Sequence, residues 1–494
     1  MSRLKVAIVP MLLTEDRSLY QATYQRFMVP LGPIALASYL ESLDLPLEIL
    51  VHDHIETILR FKPDVVGLSS VSENFGYAQQ VARLLKEKAN PFILVGGPHF
   101  TSLPEFLPEC FDLGVVGEGE KTFEQVLRIL LSEGHSKKHF MNIPGVVFKD
   151  DGKTIATGKA PQVQNLDALP LPDRKRWVNA QGVPHIMTTR GCVYRCFFCA
   201  EPSIFKGFRQ ASPARILREV EFLSEQFPAV SHIRFYDDIF PVNKKRLREL
   251  CQLFEERGIN KRFSFSCFIH ARLVDEEVAD LLKRMNFIYV QFGAETGSPQ
   301  LIKQIKPEAS VDLNQKTIDL FWRKGIRVGL TLIVGTPEET EGDLQRTHEF
   351  IKKNRRKLLD VEISPAVALP GTSLWDHARK KGVIPALEKM DWDAFRDYAH
   401  LKDFNLERYI YLAEQIRPAV FVSALKKMEG LIEKIHSMNQ TEQFLLENYL
   451  AGYMPVAFHT PGAANLIEKS PLSEAFFKSD RTRLGGYDDK AVER

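Results

Sequence analysis

The chain has almost no net charge: 65 Lys and Arg oppose 63 Asp and Glu over 494 residues. A balance of +2 creates no long-range field that would gather nucleic acid or an anionic membrane, so partners must be argued from individual sites. No apolar run approaches the roughly 18 residues needed to cross a bilayer. The apolar stretch from Val6 to Leu13 is followed at once by Glu15 and Asp16, with no small-residue cleavage pattern, which predicts a first strand and not a signal peptide. The expected location is therefore the cytoplasm. Internal repeats and low-complexity tracts are missing. So is the fingerprint G-x-G-x-x-G after the first strand, which disfavours a nicotinamide or flavin dinucleotide. Cysteine is scarce, six residues in all, and unevenly spread. Cys110, Cys251 and Cys267 are scattered in apolar stretches, whereas Cys192, Cys196 and Cys199 fall close together. In a reducing compartment such a cluster points to metal or redox chemistry before it points to disulfides.

What is present is ordinary globular composition, 44% hydrophobic and 26% charged, in a chain long enough for about three domains. Over residues 6–133 short apolar runs (VAIVPML, LEILVHD, VVGLSSV, FILVGG, LGVVGEG) alternate with helical patterns. Continuous apolar runs separated by helices predict a parallel sheet covered on both faces, a doubly wound α/β domain of Rossmann or flavodoxin type. Ligands of such sheets bind beyond the carboxyl ends of the strands. Small and polar residues gather there: Ser69 and Ser70, then Gly96, Gly97 and His99, then Gly117 and Glu118. Any one of these glycines could merely turn the chain; three such sites on one edge point to a bulky ligand. Residues 143–184 break the pattern with a hairpin turning at Asp150 to Gly152 and a Pro-rich linker. From His185 six strand candidates (HIMTTRG, HIRFYDD, FSFSCFIH, YVQFGAET, RVGLTLIVG, VEISPAVA) recur between helical stretches and predict a partial, six-unit barrel. The expected division is 1–140, 141–184, 185–383 and a mostly helical 384–494. In the last part, helices are expected over 407–417 and 419–436, and Trp392, Phe395 and Tyr398 have the spacing of a helix packing its core face.

Thiolates suit iron-sulfur clusters and zinc. Cys192, Cys196 and Cys199 offer three in the spacing C-x3-C-x2-C, while a structural zinc site needs four ligands and no second cysteine pair exists. The segment TTRGCVYRCFFCAEP resembles the cluster-binding loop of the radical S-adenosylmethionine (SAM) superfamily, with Phe198 at its aromatic position. That resemblance implies a [4Fe-4S] cluster whose open iron binds the amino and carboxylate groups of SAM, cleaving it to methionine and a 5'-deoxyadenosyl radical. It further implies that Asp237 and Asp238, in IRFYDDIF, meet the methionyl amino group. Glu295, in VQFGAETGS, would accept from the ribose hydroxyls, Val334 and Gly335 would pack on adenine, and Lys306 would pair the SAM carboxylate. Taken singly, Glu295 reads equally well as a surface carboxylate and either aspartate as a helix cap.

The first domain resembles the cobalamin-binding domain of cobalamin-dependent radical SAM enzymes, the class B methyltransferase-like group, through PLGPIALASYL, KPDVVGLSS, VGGPHF and GVVGEGEKTFEQVL. The likeness implies that Ser69, Ser70, Gly96, Gly97, Gly117 and Glu118 lie near the corrin or its tail. The D-x-H-x-x-G motif is absent: His52, Asp53 and His54 have the wrong spacing. His99 is the nearest candidate cobalt ligand, its alternative being a loop histidine held by hydrogen bonds. The implied reaction is methylation of an unactivated carbon in a small-molecule, lipid or peptide substrate, with a flavodoxin- or ferredoxin-type electron donor and no nucleic acid. Cobalamin-dependent cyclisation without methyl transfer, and a cobalamin-binding sensor, are the alternatives. No catalytic acid or base is singled out.

Overall fold

Apolar β-branched runs in the N-terminal part form five parallel strands: β1 (Leu4–Pro10), β2 (Leu47–Val51), β3 (Val65–Ser69), β4 (Phe92–Gly96) and β5 (Leu113–Val115). They stand in the order β2-β1-β3-β4-β5, so the chain reverses its direction of winding between β1 and β3. This computed structural model describes residues 3–11, 29–132, 137–177, 184–397 and 404–439. Helices cover both faces of the sheet. The helix Phe75–Lys88 shows why: Phe75, Ala78, Val81, Ala82 and Leu85 repeat at helical spacing and are the buried positions. The doubly wound architecture expected for this part is present.

The hairpin expected in the linker is also present, as β6 (Val146–Asp150) and β7 (Lys153–Ala156), turning through Asp151 and Gly152 at φ of 45° and 75°. It is no free linker element, because β6 pairs antiparallel with β5 and extends the first sheet to seven strands. After it the chain runs to the second sheet through Arg174, whose side chain is fully buried. Arg174 donates to the His185 carbonyl at 2.7 Å, the Pro172 carbonyl at 3.2 Å and the Glu219 carboxylate at 2.6 Å.

The second sheet has six parallel strands in the order β15-β14-β13-β12-β11-β8: β8 (His185–Ile186), β11 (His232–Phe235), β12 (Ser264–Phe268), β13 (Phe287–Glu295), β14 (Arg327–Val334) and β15 (Leu358–Pro365). A two-stranded ribbon, β9 (Thr189–Arg190) with β10 (Arg209–Gln210), follows β8. Side chains alternate along each strand. One face carries Ile233, Phe235, Phe265, Val290, Phe292, Leu330 and Ile363, which share a core with the covering helices. The opposite face carries His232, Arg234, Ser264, Ser266, Gln291 and Glu362 and is polar: His232 bridges Ser264 and Ser266 at 2.9 Å each, and Arg234 donates to Gln291 at 2.8 Å.

The helix Pro418–Met438 lies along β15. His436 bonds Asp360 at 2.9 Å and Asn439 donates to the Leu358 carbonyl at 2.9 Å. Its expected partner over 407–417 is not a helix. Tyr409 instead donates to the Ala366 carbonyl at 2.6 Å and Tyr411 to that of Ile416 at 2.7 Å, while Pro418 holds Arg417 extended. Trp392 and Phe395 are core residues, as their spacing indicated, and Tyr398 lies outside the described residues. Among the described residues no helix is long and apolar enough to cross a membrane.

Arg174→Ala should lower the unfolding free energy by about 3–5 kcal/mol, because it leaves the Glu219 carboxylate buried without its main partner. Urea unfolding checks this, and a loss below about 1 kcal/mol would show that Arg174 does not tie the connecting segment to the second sheet.

Candidate functional site

The carboxyl ends of the first sheet face the start of the second across a cavity of about 460 Å³. Its walls are largely apolar, with Leu31, Leu36, Leu68, Val95, Val115 and Phe123 from the first domain. Of the residues read as ligand contacts at these strand ends, Ser69, Gly96, Gly97, Gly117 and Glu118 line it together. Gly97 cannot be replaced: its φ is +95° and a Cβ would stand 2.6 Å from the Ser70 carbonyl oxygen. The far wall consists of Met187, Thr188, Thr189 and Arg190, then Glu201, Ile204 and Phe205.

Two of the expected contacts point elsewhere. Ser70 is buried and donates to Asn74. His99, the candidate cobalt ligand, does not line the cavity: its Nδ1 bonds Ser72 at 2.9 Å and its ring packs against Phe75 and Trp392, with centroids 3.9 and 4.6 Å away. The reason is local. His99 lies in the short helix Pro98–Ser102, with Pro98 and Thr101 turned to the cavity and His99 and Phe100 turned to the core. Burial lowers the His99 pKa to about 3.

Directly after β9, Gly191 takes φ +82° with its α-carbon so close to Gly207 that a Cβ would stand 1.9 Å from the Gly207 carbonyl oxygen. The loop that follows holds Cys192, Cys196 and Cys199, all free and half-buried. Three backbone bonds fix it: Cys199 N–H to the Cys196 carbonyl at 3.1 Å, Phe197 N–H to that of Ile305 at 2.9 Å, and Leu374 N–H to that of Phe197 at 3.1 Å. Tyr194 packs on His270 with ring centroids 4.1 Å apart and planes tilted by 30°. Phe198 is half-buried against the barrel core. Burial pushes the Cys196 thiol up to about 11 and that of Cys199 up to about 12, and raises Cys192 as well, so iron must displace protons to bind. Among the described residues no three or more His, Cys, Asp or Glu side chains converge as ligands of one metal ion. Three thiols on one loop are the donor type that an iron-sulfur cluster takes.

Around this loop the acidic residues divide into two kinds. Asp237 is fully buried and accepts from the Thr188 N–H (2.5 Å) and hydroxyl (2.6 Å) and from the Thr189 N–H (2.7 Å) and hydroxyl (2.9 Å). Three of these donors converge on Oδ1 and one on Oδ2, so Asp237 holds the β8–β9 corner from a fully buried position. Asp238 instead faces Glu201, and burial together with the Asp238 charge holds Glu201 up at about 8. Two carboxyl groups in contact beside the cysteine loop disfavour each other's ionisation.

Glu295 sits at an irregularity of β13 with φ +60°, a strained setting for a residue with a side chain. Its buried carboxylate receives Lys306 at 2.9 Å, and Lys306 also donates to the Gly293 carbonyl at 2.6 Å. Gly293 makes the room, since a Cβ there would collide with both side chains. The two residues expected to contact SAM separately are thus joined in one ion pair. Val334 is wholly buried, and Gly335 donates its N–H to Glu339. Glu339 is fully buried and its second oxygen has no hydrogen-bond partner among the described residues; burial holds its pKa up at about 8.

Sequence reasoning missed the ion pairs that join the two halves. Arg190 bonds Glu118 at 2.6 Å and Glu120 at 2.5 Å, and Arg209 pairs with Glu118 at 2.5 Å. Glu118 also accepts from the Val163 N–H at 3.0 Å. The position of Arg190 immediately before the cysteine loop, and two acidic residues in one glycine-rich turn, were the available signals; Arg209 offered none.

Residues 186–351 match the radical SAM superfamily and residues 18–127 the B12 binding domain. An uncharacterised methyltransferase of Pyrococcus horikoshii is 30% identical over 406 residues, covering 77% of this chain and 85% of that protein. The anaerobic magnesium-protoporphyrin IX monomethyl ester cyclase of Rubrivivax gelatinosus is 25% identical, over 60% of this chain and 55% of its own length. Among solved structures, the radical SAM methyltransferase TsrM of Kitasatospora setae, with cobalamin and a [4Fe-4S] cluster bound, shares the fold at a TM-score of 0.66 and 18% identity, covering 88% of this chain and 89% of that one.

The His99 pKa lies below the ordinary 6.5 of histidine, so on acidification the unfolded chain takes up the proton first. The stability that the neutral ring carries is complete above pH 6.5 and is lost as pH falls toward 3, at about 1.4 kcal/mol per unit. His99→Gln should therefore lose about 2 kcal/mol less than the parent between pH 7 and pH 5 in urea titrations. Equal losses would show that the ring is protonated in the folded protein.

Proposed function

Since the chain belongs to the family of radical SAM enzymes that carry a B12-binding domain, we propose that it methylates an unactivated carbon of a small-molecule, lipid or peptide substrate. The family's cofactors are a [4Fe-4S] cluster, SAM and cobalamin. Bound together they supply a 5'-deoxyadenosyl radical and a methyl group transferable as a radical equivalent. The observation that carries the proposal is adjacency. Arg190 and Glu201 flank the cysteine loop on its two sides, and both line the cavity under the first sheet. A ligand in that cavity and a cluster on that loop are therefore neighbours, as methyl carrier and radical source must be.

In this reading Cys192, Cys196 and Cys199 ligate the cluster. Asp238 and Glu201 receive the methionyl ammonium. Glu295 turns one oxygen to the ribose hydroxyls, a carboxylate being able to accept from both. Lys306 stays on Glu295 and also reaches the SAM carboxylate, and the backbone at Gly335, whose α-carbon packs against Phe421, borders adenine. Ser69, Gly96, Gly97 and Gly117 bound the corrin cavity with backbone and small side chains. Arg234, Gln291 and the exposed Glu362 on the inner face of the barrel favour a substrate whose buried end is polar over one that inserts an alkyl chain. An electron donor of flavodoxin or ferredoxin type completes the cycle. The likeness to the cyclase supports a second reading, in which radical chemistry proceeds without methyl transfer.

Anaerobic reconstitution with iron, sulfide and hydroxocobalamin, followed by SAM and a strong reductant, separates these readings. Methyl transfer predicts both 5'-deoxyadenosine and cobalamin-dependent S-adenosylhomocysteine by mass spectrometry; deoxyadenosine alone would move the reading to the cyclase class. Replacing the three cysteines by Ala should remove cluster absorbance and SAM cleavage together while cobalamin still binds. Glu295→Ala should weaken SAM binding by about 10- to 100-fold, the worth of hydrogen bonds to a charged group. Iron content should not change, and unaltered affinity would remove Glu295 from the SAM site.

A further inference from the structure

The cysteine loop is anchored to the B12-binding domain by charge. Glu118 projects from the turn after β5 and Glu120 from the first turn of the helix Gly119–Ser132, and each accepts from a different nitrogen of Arg190, at 2.6 and 2.5 Å. Arg209, paired with Arg190 across the β9–β10 ribbon, closes on the other oxygen of Glu118 at 2.5 Å and donates to the Val163 carbonyl at 2.6 Å. The two carboxylates and two guanidinium groups balance, and all four side chains are largely shielded from water. A planar fork gripping two carboxylates fixes direction as well as distance, which a single charged contact does not.

What lies on either side of Arg190 gives this clamp more than a structural part. On one side Arg190, Glu118 and Glu120 are wall residues of the cavity, so whatever fills it borders the clamp. On the other side Cys192 is two residues away, across a Gly191 whose backbone is wedged against Gly207 and has no slack to absorb a shift. The rest of the loop is tied to the barrel at Phe197. A displacement of Arg190 thus reaches the first cluster ligand while the middle of the loop stays fixed.

We propose that Arg190, held by Glu118 and Glu120, is a positioning residue that couples occupancy of the interdomain cavity to the geometry of the cluster loop. The proposal rests on the reading that cobalamin occupies that cavity. It gives the enzyme a means of matching the cluster environment to the presence of the methyl carrier.

The test uses the full chain, reconstituted without oxygen, with and without hydroxocobalamin. The electron paramagnetic resonance spectrum of the reduced cluster is recorded under reduction strong enough to leave cobalt as diamagnetic Co(I). In the parent protein hydroxocobalamin should shift the cluster spectrum. In Glu120→Gln, with iron content and the visible spectrum of bound cobalamin retained, that shift should be lost. Should Glu120→Gln not fold, Arg190→Lys takes its place with the same expectation, because it keeps the charge and loses the fork. A shift that persists in the variant, or a parent protein that binds cobalamin without any shift, overturns the coupling. Failure of the parent to bind hydroxocobalamin at all overturns instead the functional reading beneath it.

Discussion

A buried carboxylate must find its counter-charge inside the protein, and the joint between the two domains is built on that constraint. Glu118 reaches Arg190, Arg209 and the Val163 N–H, and so draws the first sheet, the connecting segment and the barrel ribbon to one point. Asp237 does the same for the barrel's first strands through four donors from Thr188 and Thr189, with Arg246 donating to the Thr188 hydroxyl from behind at 2.6 Å. Removing any one partner from such a group strands a charge in a medium that cannot solvate it, which costs far more than a surface pair would. The geometry of the cavity and of the cysteine loop is thus set by electrostatic closure, and apolar packing fills in around it.

Much of this was legible in the sequence, for reasons of period and spacing. Continuous apolar runs announced both parallel sheets, and the six barrel strands fall where the runs HIMTTRG to VEISPAVA lie. The cysteine loop was legible because ligand spacing is local. Contacts between distant residues were not. Nothing in the sequence says that Asp237 spends its acceptors on two threonines while Asp238 meets Glu201, because adjacent residues differ only in which way the backbone turns them. His99 shows the same limit: a helix of one turn decides that Thr101 and not His99 faces the cavity. The segment 407–417 carried a helical pattern that Tyr409 overrode by reaching the Ala366 carbonyl.

The pair Glu295 and Lys306 illustrates a different economy. Each was expected at a different part of SAM, and the structure joins them across the gap left by Gly293. A carboxylate held by a lysine is oriented before any ligand arrives, so less reorganisation remains when it does. The positive φ of Glu295 is the backbone cost of that preorganisation.

The hairpin that joins the first sheet has a consequence for how the protein behaves in company. Parallel sheets end in a row of unpaired amide and carbonyl groups, on which another chain can pair. Here β7 becomes the terminal strand on that side, only four residues long, with exposed Lys153, Thr154 and Ala156 and a tight turn at one end. A short, polar, charged border offers poor purchase for a second strand. The same segment that carries the chain from one domain to the other therefore also guards the sheet against self-association at high concentration.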